Sequence, residues 1–233
     1  MANQVKMTSE TGILNRRMKT PLLFLITLLF SFSVYAEKPA DSLYLQGSKN
    51  SALILCHGRG HSPDWKVVGP LRHNVNEKMN WHTLSLQMPA EDKNWKEYGE
   101  DFPDAYKTIQ AAIKFLKEEK KVKNIYLMGH SMGSRMASAF MAEHVNASIK
   151  GLIIAGCRNN GDYPLSCSDT IEKVKIKVLD IWGGANGKDT DAAGERAGLV
   201  SNTYQQVAID GGNHKFDGYD SEFSAAVIKW LSQ

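Results

Sequence analysis

Gly129, His130, Ser131, Met132 and Gly133 constrain this chain more than any other stretch. They spell GxSxG. Residues 124–128 ahead of them (NIYLM) form a short apolar run with the length and β-branching of a buried strand, and residues 134–145 behind them read as a helix. A strand, a sharp turn and a helix in succession put the serine on a strained elbow, flanked by glycines where strand and helix come too close for side chains. Its hydroxyl then stands clear of the sheet at a helix N-terminus. In a plain glycine-containing loop the same pattern carries no such meaning. The flanking elements are what make Ser131 a candidate nucleophile.

The chain opens with a segment of a different kind. Residues 21–35 (PLLFLITLLFSFSVY) are an apolar run of 15 residues, preceded by Arg16, Arg17 and Lys19 and ending in Val34, Tyr35, Ala36. That is the layout of a secretory signal peptide with a small-residue cleavage site, and cleavage there leaves Glu37 as the first residue. Residues 18–36 form a complete signal by themselves, so Met18 is a candidate true start. The rival reading, an uncleaved anchor, is disfavoured because the run is shorter than the ~20 residues a bilayer span needs. Residues 1–36 are therefore read as a signal peptide and residues 37–233 as one domain, placing the protein in the periplasm or outside the cell with no stable membrane span after processing.

Four of the 28 basic residues and one of the 25 acidic ones lie in residues 1–36, so the remainder carries 24 of each and is formally neutral. Nothing in that balance points to a nucleic-acid partner. The densest basic run, from Lys117 to Lys123, falls at a helix end, where lysines suit the dipole and the solvent.

Beyond Ala36, strand-like and helix-like segments alternate. Residues 42–46 and 51–56 (SALILC) read as strands joined by turn residues 47–50. Ser62 reads as the cap of a helix with Pro63 in its first turn, running towards Met79. Residues 81–88 read as a strand. Residues 101–120 read as a helix with Tyr106, Ile109, Ala112, Ile113 and Leu116 on one face. Residues 149–157, 174–182 and 203–209 read as further strands, and residues 223–231 as a closing helix with Phe223, Val227, Trp230 and Leu231 inward. Continuous apolar strands separated by helices predict an α/β fold, a three-layer sandwich with a mainly parallel sheet covered on both faces. There is no repeat and no domain linker.

In such sheets ligands sit outside the carboxyl ends of the strands. The segments there are His57–Gly58–Arg59–Gly60, Cys157, the glycine-rich loop 183–191 (GGANGKDTD), and Gly211–Gly212–Asn213–His214. The order of serine, acid loop after a late strand and histidine after the last strand resembles the α/β-hydrolase superfamily. The resemblance covers the chain from the His57–Gly58 turn to the closing helix. Residues 57–65 (HGRGHSPDW) and 70–89 further resemble small bacterial members of that superfamily whose substrates are unassigned.

The resemblance implies Ser131 as nucleophile and His214, 83 residues later, as general base. It also implies an oxyanion hole made by the backbone N–H groups of Arg59 and Met132. His61, His73, His82, His130 and His144 are read as packing or surface residues, because no spacing among them makes a zinc set; neither metal nor cofactor is implied. The acid departs from the family pattern. The family's aspartate position, counted from Gly183, holds Asn186. Asp189 is ranked first as the acid, ahead of Asp191 and Asp162, while Asp180 lies inside a strand and is read as hydrogen-bonded on the sheet.

Only residues 158–173 separate two late strands, which leaves no room for an inserted cap domain and predicts an open cleft. Such a cleft suits esters of modest size or the acyl end of a larger molecule, although the same groups serve amides and thioesters. A serine esterase is the first reading. The alternative is a binding protein that kept the fold and lost the rate, which the asparagine at position 186 favours. Export into oxidising conditions and the short loop between Cys157 and Cys167 predict a disulfide between them. On the family's strand order one strand separates Cys56 from Cys157, about two spacings of 4.8 Å, too far for a bridge. Oligomeric state and substrate identity are not legible.

Overall fold

The computed structural model describes residues 1–2, 35–89, 91, 93–145 and 148–233; most of the signal segment read from the sequence lies outside the described residues. In chain order the strands are β1 (Leu43–Leu45), β2 (Ser51–Cys56), β3 (His82–Leu86), β4 (Asn124–His130), β5 (Ile149–Ala155), β6 (Lys177–Gly183) and β7 (Tyr204–Ile209). The helices between and after them are α1 (Val68–Met79), α2 (Phe102–Glu118), α3 (Met132–Glu143), α4 (Cys167–Ile171), α5 (Gly187–Glu195) and α6 (Asp220–Leu231). The seven strands form one sheet in the order β1-β3-β2-β4-β5-β6-β7. Only the edge strand β1 runs antiparallel.

The apolar runs are continuous because both faces of the sheet are covered. Alternation along β2 sends Ala52, Ile54 and Cys56 into one core, shared with α2 and α3, and Leu53 and Leu55 into the other, shared with α1 and α6. The predicted stripe of α2 packs as its spacing requires: Tyr106, Ile109, Ala112 and Leu116 are buried, and Ile113 lies at the edge of the same core. Phe223, Val227, Trp230 and Leu231 of α6 are likewise buried. Each fully buried side chain of this size stabilises the fold by ~1.5–3 kcal/mol relative to exposure. This is the mainly parallel three-layer α/β sandwich that the sequence predicts, and no inserted cap domain stands between β5 and β6.

Residues 47–50 join β1 to β2 as the sequence reads, although β3 lies between those strands in the sheet and the link hydrogen-bonds to Asn80, the left-handed residue ending α1. Two local expectations need correction. The helix read from Ser62 begins only at Val68, without a side-chain cap. Residues 63–67 form turns, and a Cβ on Gly69 would stand 2.5 Å from the Asp64 carbonyl, so the chain is packed too closely for the helix to extend backwards as drawn. The glycine-rich stretch 183–191 is no plain loop: its second half is the first turn of α5.

Cys157 and Cys167 form a disulfide with Cα atoms 6.0 Å apart. Cys56 is a buried free thiol on β2, separated from β5 by β4, and burial pushes its thiol up. Among the described residues no helix is long and apolar enough to cross a membrane.

Candidate active site

Backbone sterics fix the elbow between β4 and α3. Ser131 has φ 55° and ψ −116°, outside the ordinary regions for an L-residue. A Cβ on Gly129 would stand 2.3 Å from the Gly133 carbonyl oxygen, and one on Gly133 would stand 2.3 Å from that of Cys56, so neither position tolerates a side chain. The turn is tied to β5: Ser131 N–H donates to the Ala155 carbonyl at 2.8 Å, and the Ser134 hydroxyl accepts from Ala155 N–H at 3.0 Å and reaches the Gly129 carbonyl at 2.6 Å.

Adjacent parallel strands bring the other segments to this end of the sheet. His214, in the turn after β7, donates from Nδ1 to Oδ2 of Asp189 at 2.6 Å. With that proton committed, Nε2 is the acceptor, and the Ser131 hydroxyl lies 3.0 Å from it. An imidazole held in this way can take a proton from the hydroxyl and return it elsewhere.

Asp189 occupies the third position of α5. The side chain of Asn186, the N-cap, accepts from Asp189 N–H at 3.1 Å and starts the helix there. Asn186 thus fills the family's acid position with a cap, and the carboxylate is carried one turn further on. The Asp189 side chain is fully buried. Burial alone would raise its pKa, but the hydrogen bonds and charges of His214 and Arg158 outweigh that and hold it below the usual carboxylate value. Arg158 Nε lies 2.7 Å from Oδ1, so both carboxylate oxygens are occupied. Asp191 borders the same cleft, Asp162 is exposed beyond β5, and Asp180 pairs with Arg196 and Tyr204 inside the sheet.

Arg158 and His130 carry parts the sequence reading did not give them. Arg158 directly follows Cys157, just past β5, and no pattern in the sequence ties it to Asp189. Of the packing or surface roles expected for His130 the structure shows the buried one, and its Nε2 also donates to the His214 carbonyl at 2.8 Å, steadying the loop that presents the base. Burial, with the neighbouring His214 adding to it, lowers its pKa to about 3, so the ring is neutral.

The His57–Gly58 turn abuts the elbow: a Cβ on Gly58 would lie 3.2 Å from Cβ of Ser131. His57 pins this turn, donating from Nδ1 to the Gly58 carbonyl at 2.8 Å and accepting from Met88 N–H at 3.1 Å. Arg59 follows immediately, and Met132 is the first residue of α3. Both border a cleft of ≈ 1120 Å³ that also exposes Ser131 and His214. On one side stand His61 and Trp65, stacked with ring centroids 3.4 Å apart, and Trp95 borders it too. His73 is on the surface, His82 meets Tyr44, and His144 bonds the Phe140 carbonyl. Among the described residues no cluster of three or more His, Cys, Asp or Glu is disposed to hold a metal ion.

The family described as "Protein of unknown function (DUF3530)" matches residues 92–215, a span that includes Ser131, Asp189 and His214 and more than half of the chain. No curated protein matches. Among solved structures, the chain is similar to Est1E from Butyrivibrio proteoclasticus, at 17% identity and TM-score 0.65, over 82% of this chain and 92% of that one. Dienelactone hydrolase from Anabaena variabilis gives 17% identity and TM-score 0.64 over 82% and 90%. XC6422 from Xanthomonas campestris, described as an α/β serine hydrolase without lid, gives 14% identity and TM-score 0.59 over 81% and 93%.

Proposed function

The chain belongs to the family described as protein of unknown function (DUF3530) and has the fold of the α/β-hydrolase superfamily, and from that premise we propose that it is a serine hydrolase cleaving carboxylic esters. One observation carries the reading: the unbroken line from the buried Asp189 carboxylate through His214 to the Ser131 hydroxyl, at 2.6 and 3.0 Å. Ser131 Oγ attacks the ester carbonyl while His214 Nε2 takes its proton. Asp189 stabilises the imidazolium that forms, and the backbone N–H groups of Arg59 and Met132 receive the oxyanion. The imidazolium gives its proton to the leaving alcohol. Water then repeats the sequence on the acyl-enzyme.

Esters of modest size suit a cleft with no inserted domain over it, and the same groups would serve amides or thioesters. Est1E has also been solved with ferulic acid bound, which gives aromatic acids a place among the first acyl groups to try. The rival reading, a binding protein without the rate, drew its support from Asn186; Asp189 against His214 removes that reason.

Export belongs to the same proposal. The apolar run and small-residue site ahead of Glu37 support cleavage there, and the Cys157–Cys167 bridge fits an oxidising compartment. Mass spectrometry of the N-terminus from the native host should find Glu37 first; an intact leader in the membrane fraction would favour an anchor.

A fluorophosphonate probe tests the chemistry. Activated serines react with it and ordinary ones do not, so labelling confined to Ser131 is the expected result. An unlabelled, folded protein would remove the proposal.

A further inference from the structure

The cleft carries more positive charge than ester hydrolysis requires. Arg59, Arg135, Arg158, Lys188 and Lys215 border it, against Asp191 and Glu195. Arg158 is taken up by Asp189, which leaves four cations facing two carboxylates in a chain whose residues beyond 36 are formally neutral. The excess is therefore local.

Arg135 is the member that a charged surface does not explain. It lies one turn past Ser131 on α3 and is only 5% exposed. Its guanidinium donates to the Asn160 carbonyl at 2.7 Å and to the Asn160 side-chain oxygen, and it sits 5.3 Å from the Trp95 ring centre. These partners are neutral. Among the described residues no carboxylate pairs with it, although the other buried arginines, Arg72 and Arg196, each have one. A buried guanidinium normally has a counter-ion, because desolvating it is costly. Burial, with repulsion from the nearby Arg158 adding to it, lowers the Arg135 pKa to about 10, which still leaves it charged at neutral pH. Asn160 thus fixes the orientation of a cation that lacks a counter-ion and borders the same space as Ser131.

Resting on the serine-hydrolase reading, we propose that the ester cleaved here carries an acidic oxyanion group of its own, carboxylate or phosphate, and that Arg135 is its principal anchor, with Lys188 assisting at the rim. The guanidinium fork suits either group, and a charge-assisted bond to a cation only 5% exposed is among the stronger single contacts available.

A matched pair of substrates tests this on the full chain: 4-nitrophenyl hydrogen adipate and 4-nitrophenyl hexanoate, alike in length but ending in a carboxylate or a methyl group. The charged ester should be favoured in kcat/KM by about tenfold or more at low salt, through KM, and the preference should shrink as sodium chloride is added. Arg135→Gln should remove most of the preference. Lys188→Gln, at an exposed position that does not endanger folding, should reduce it a few-fold. Inorganic phosphate and adipate as competitors separate the two sources: stronger inhibition by phosphate assigns a phosphate-bearing substrate, stronger inhibition by adipate a carboxylate-bearing one. Calorimetry of the Ser131→Ala protein with both esters reads the same anchor without turnover and should show tighter binding of the charged one. Hydrolysis of the hexanoate with no preference for the adipate overturns the anion site and leaves the serine hydrolase standing. Loss of Ser131 chemistry alongside tighter binding of the adipate would do the reverse. Equal affinity of the Ser131→Ala protein for both esters, or a preference untouched in both charge variants, sinks the proposal.

Discussion

Two strand-to-helix turns supply two of the three groups lined up at the cleft, and they position them by different physics. In the turn after β4 the residue that matters is the turn itself: Ser131 sits at positive φ, and glycines before and after it are imposed by backbone atoms 2.3 Å from where a Cβ would be. In the turn after β6 a glycine is again imposed, since a Cβ on Gly183 would stand 2.1 Å from the Asn213 carbonyl oxygen, but the acid is not in the turn. It lies three residues into α5, at a place set by the side-chain cap of Asn186. Backbone sterics permit one spacing. A capped helix permits several, because a carboxylate one turn on can reach the same histidine.

The largest expected effect lies at the elbow. Ser131→Ala should abolish turnover of short acyl esters, by ~10⁶ in kcat on the scale of nucleophile deletions elsewhere, while thermal stability stays near wild type. Retained turnover would sever the elbow from the chemistry altogether.

The corresponding change at the second turn should cost about 10⁴ in kcat, because the amide of Asp189→Asn cannot fix the tautomer of His214 or stabilise its imidazolium. Asn186→Asp should change little, since aspartate caps a helix as well as asparagine does. If steady-state assays of the two variants gave the opposite pattern, the acid would belong to the turn after all, and the contrast between the two regions would vanish.

That contrast also separates what was legible in the sequence from what was not. The elbow, the apolar strands and the stripe of α2 are written in residue types at fixed spacing, because sterics and side-chain alternation leave few solutions. Residues 183–191 (GGANGKDTD) hold three glycines and read as loop. They become helical because Asn186 caps the start and Ala192 and Ala193 are buried, which is tertiary context that propensity does not contain. Arg158 was illegible for a related reason. Its meaning depends on α5 bringing Asp189 beside it, and nothing in residues 156–160 announces that. The start of α1 was misplaced because a proline after a serine signals a helix start in isolation, whereas here the packing of Gly69 on Asp64 delays it.

A pH series reads the elbow through stability. His130 is buried and its pKa is lowered to about 3, so the folded state refuses a proton that the unfolded chain accepts near the usual value of 6.5. The folded pKa lies below the unfolded one, so this contribution is fully present above about pH 6.5 and is lost as pH falls from there towards 3, where the unfolded state binds more protons. In His130→Gln, whose amide reaches the position of Nε2 and can still donate to the His214 carbonyl, denaturation midpoints should decline less steeply across that window than in the wild type. Parallel declines would mean that His130 does not stay neutral in the fold.

The disulfide tests the second region from outside. Cys157 precedes Arg158, and Cys167 N–H bonds the Arg158 carbonyl at 3.2 Å, so the bridge closes the loop that carries the second partner of Asp189. Closing a loop of this length contributes roughly 2–4 kcal/mol. Cys157→Ser with Cys167→Ser should lower Tm and weaken turnover modestly through Arg158, and thiol titration of the denatured, unreduced wild type should find one free thiol. Finding three would remove the bridge and leave Arg158 held by Asp189 alone.

The smallest effect discriminates most finely between the two turns. Asn186→Ala leaves every atom of Asp189 in place but deletes the cap that starts α5 above it, at a cost of about 1 kcal/mol for the lost bond. If the cap only stabilises, Tm should fall by a few degrees and kcat should hold. If it positions, fraying of the first turn lets Asp189 drift from His214, and kcat should fall several-fold at a temperature where the protein remains fully folded. We expect the second result, because Asp189 N–H is the group the cap receives and the carboxylate it carries needs a 2.6 Å contact. Asn186→Ser, which restores a capping oxygen on a shorter arm, should recover most of the rate. An alanine variant with unchanged kcat would show that Arg158 and His214 hold the carboxylate without help from the helix, and the placement of the acid would then rest on its ion pairs instead of on the cap.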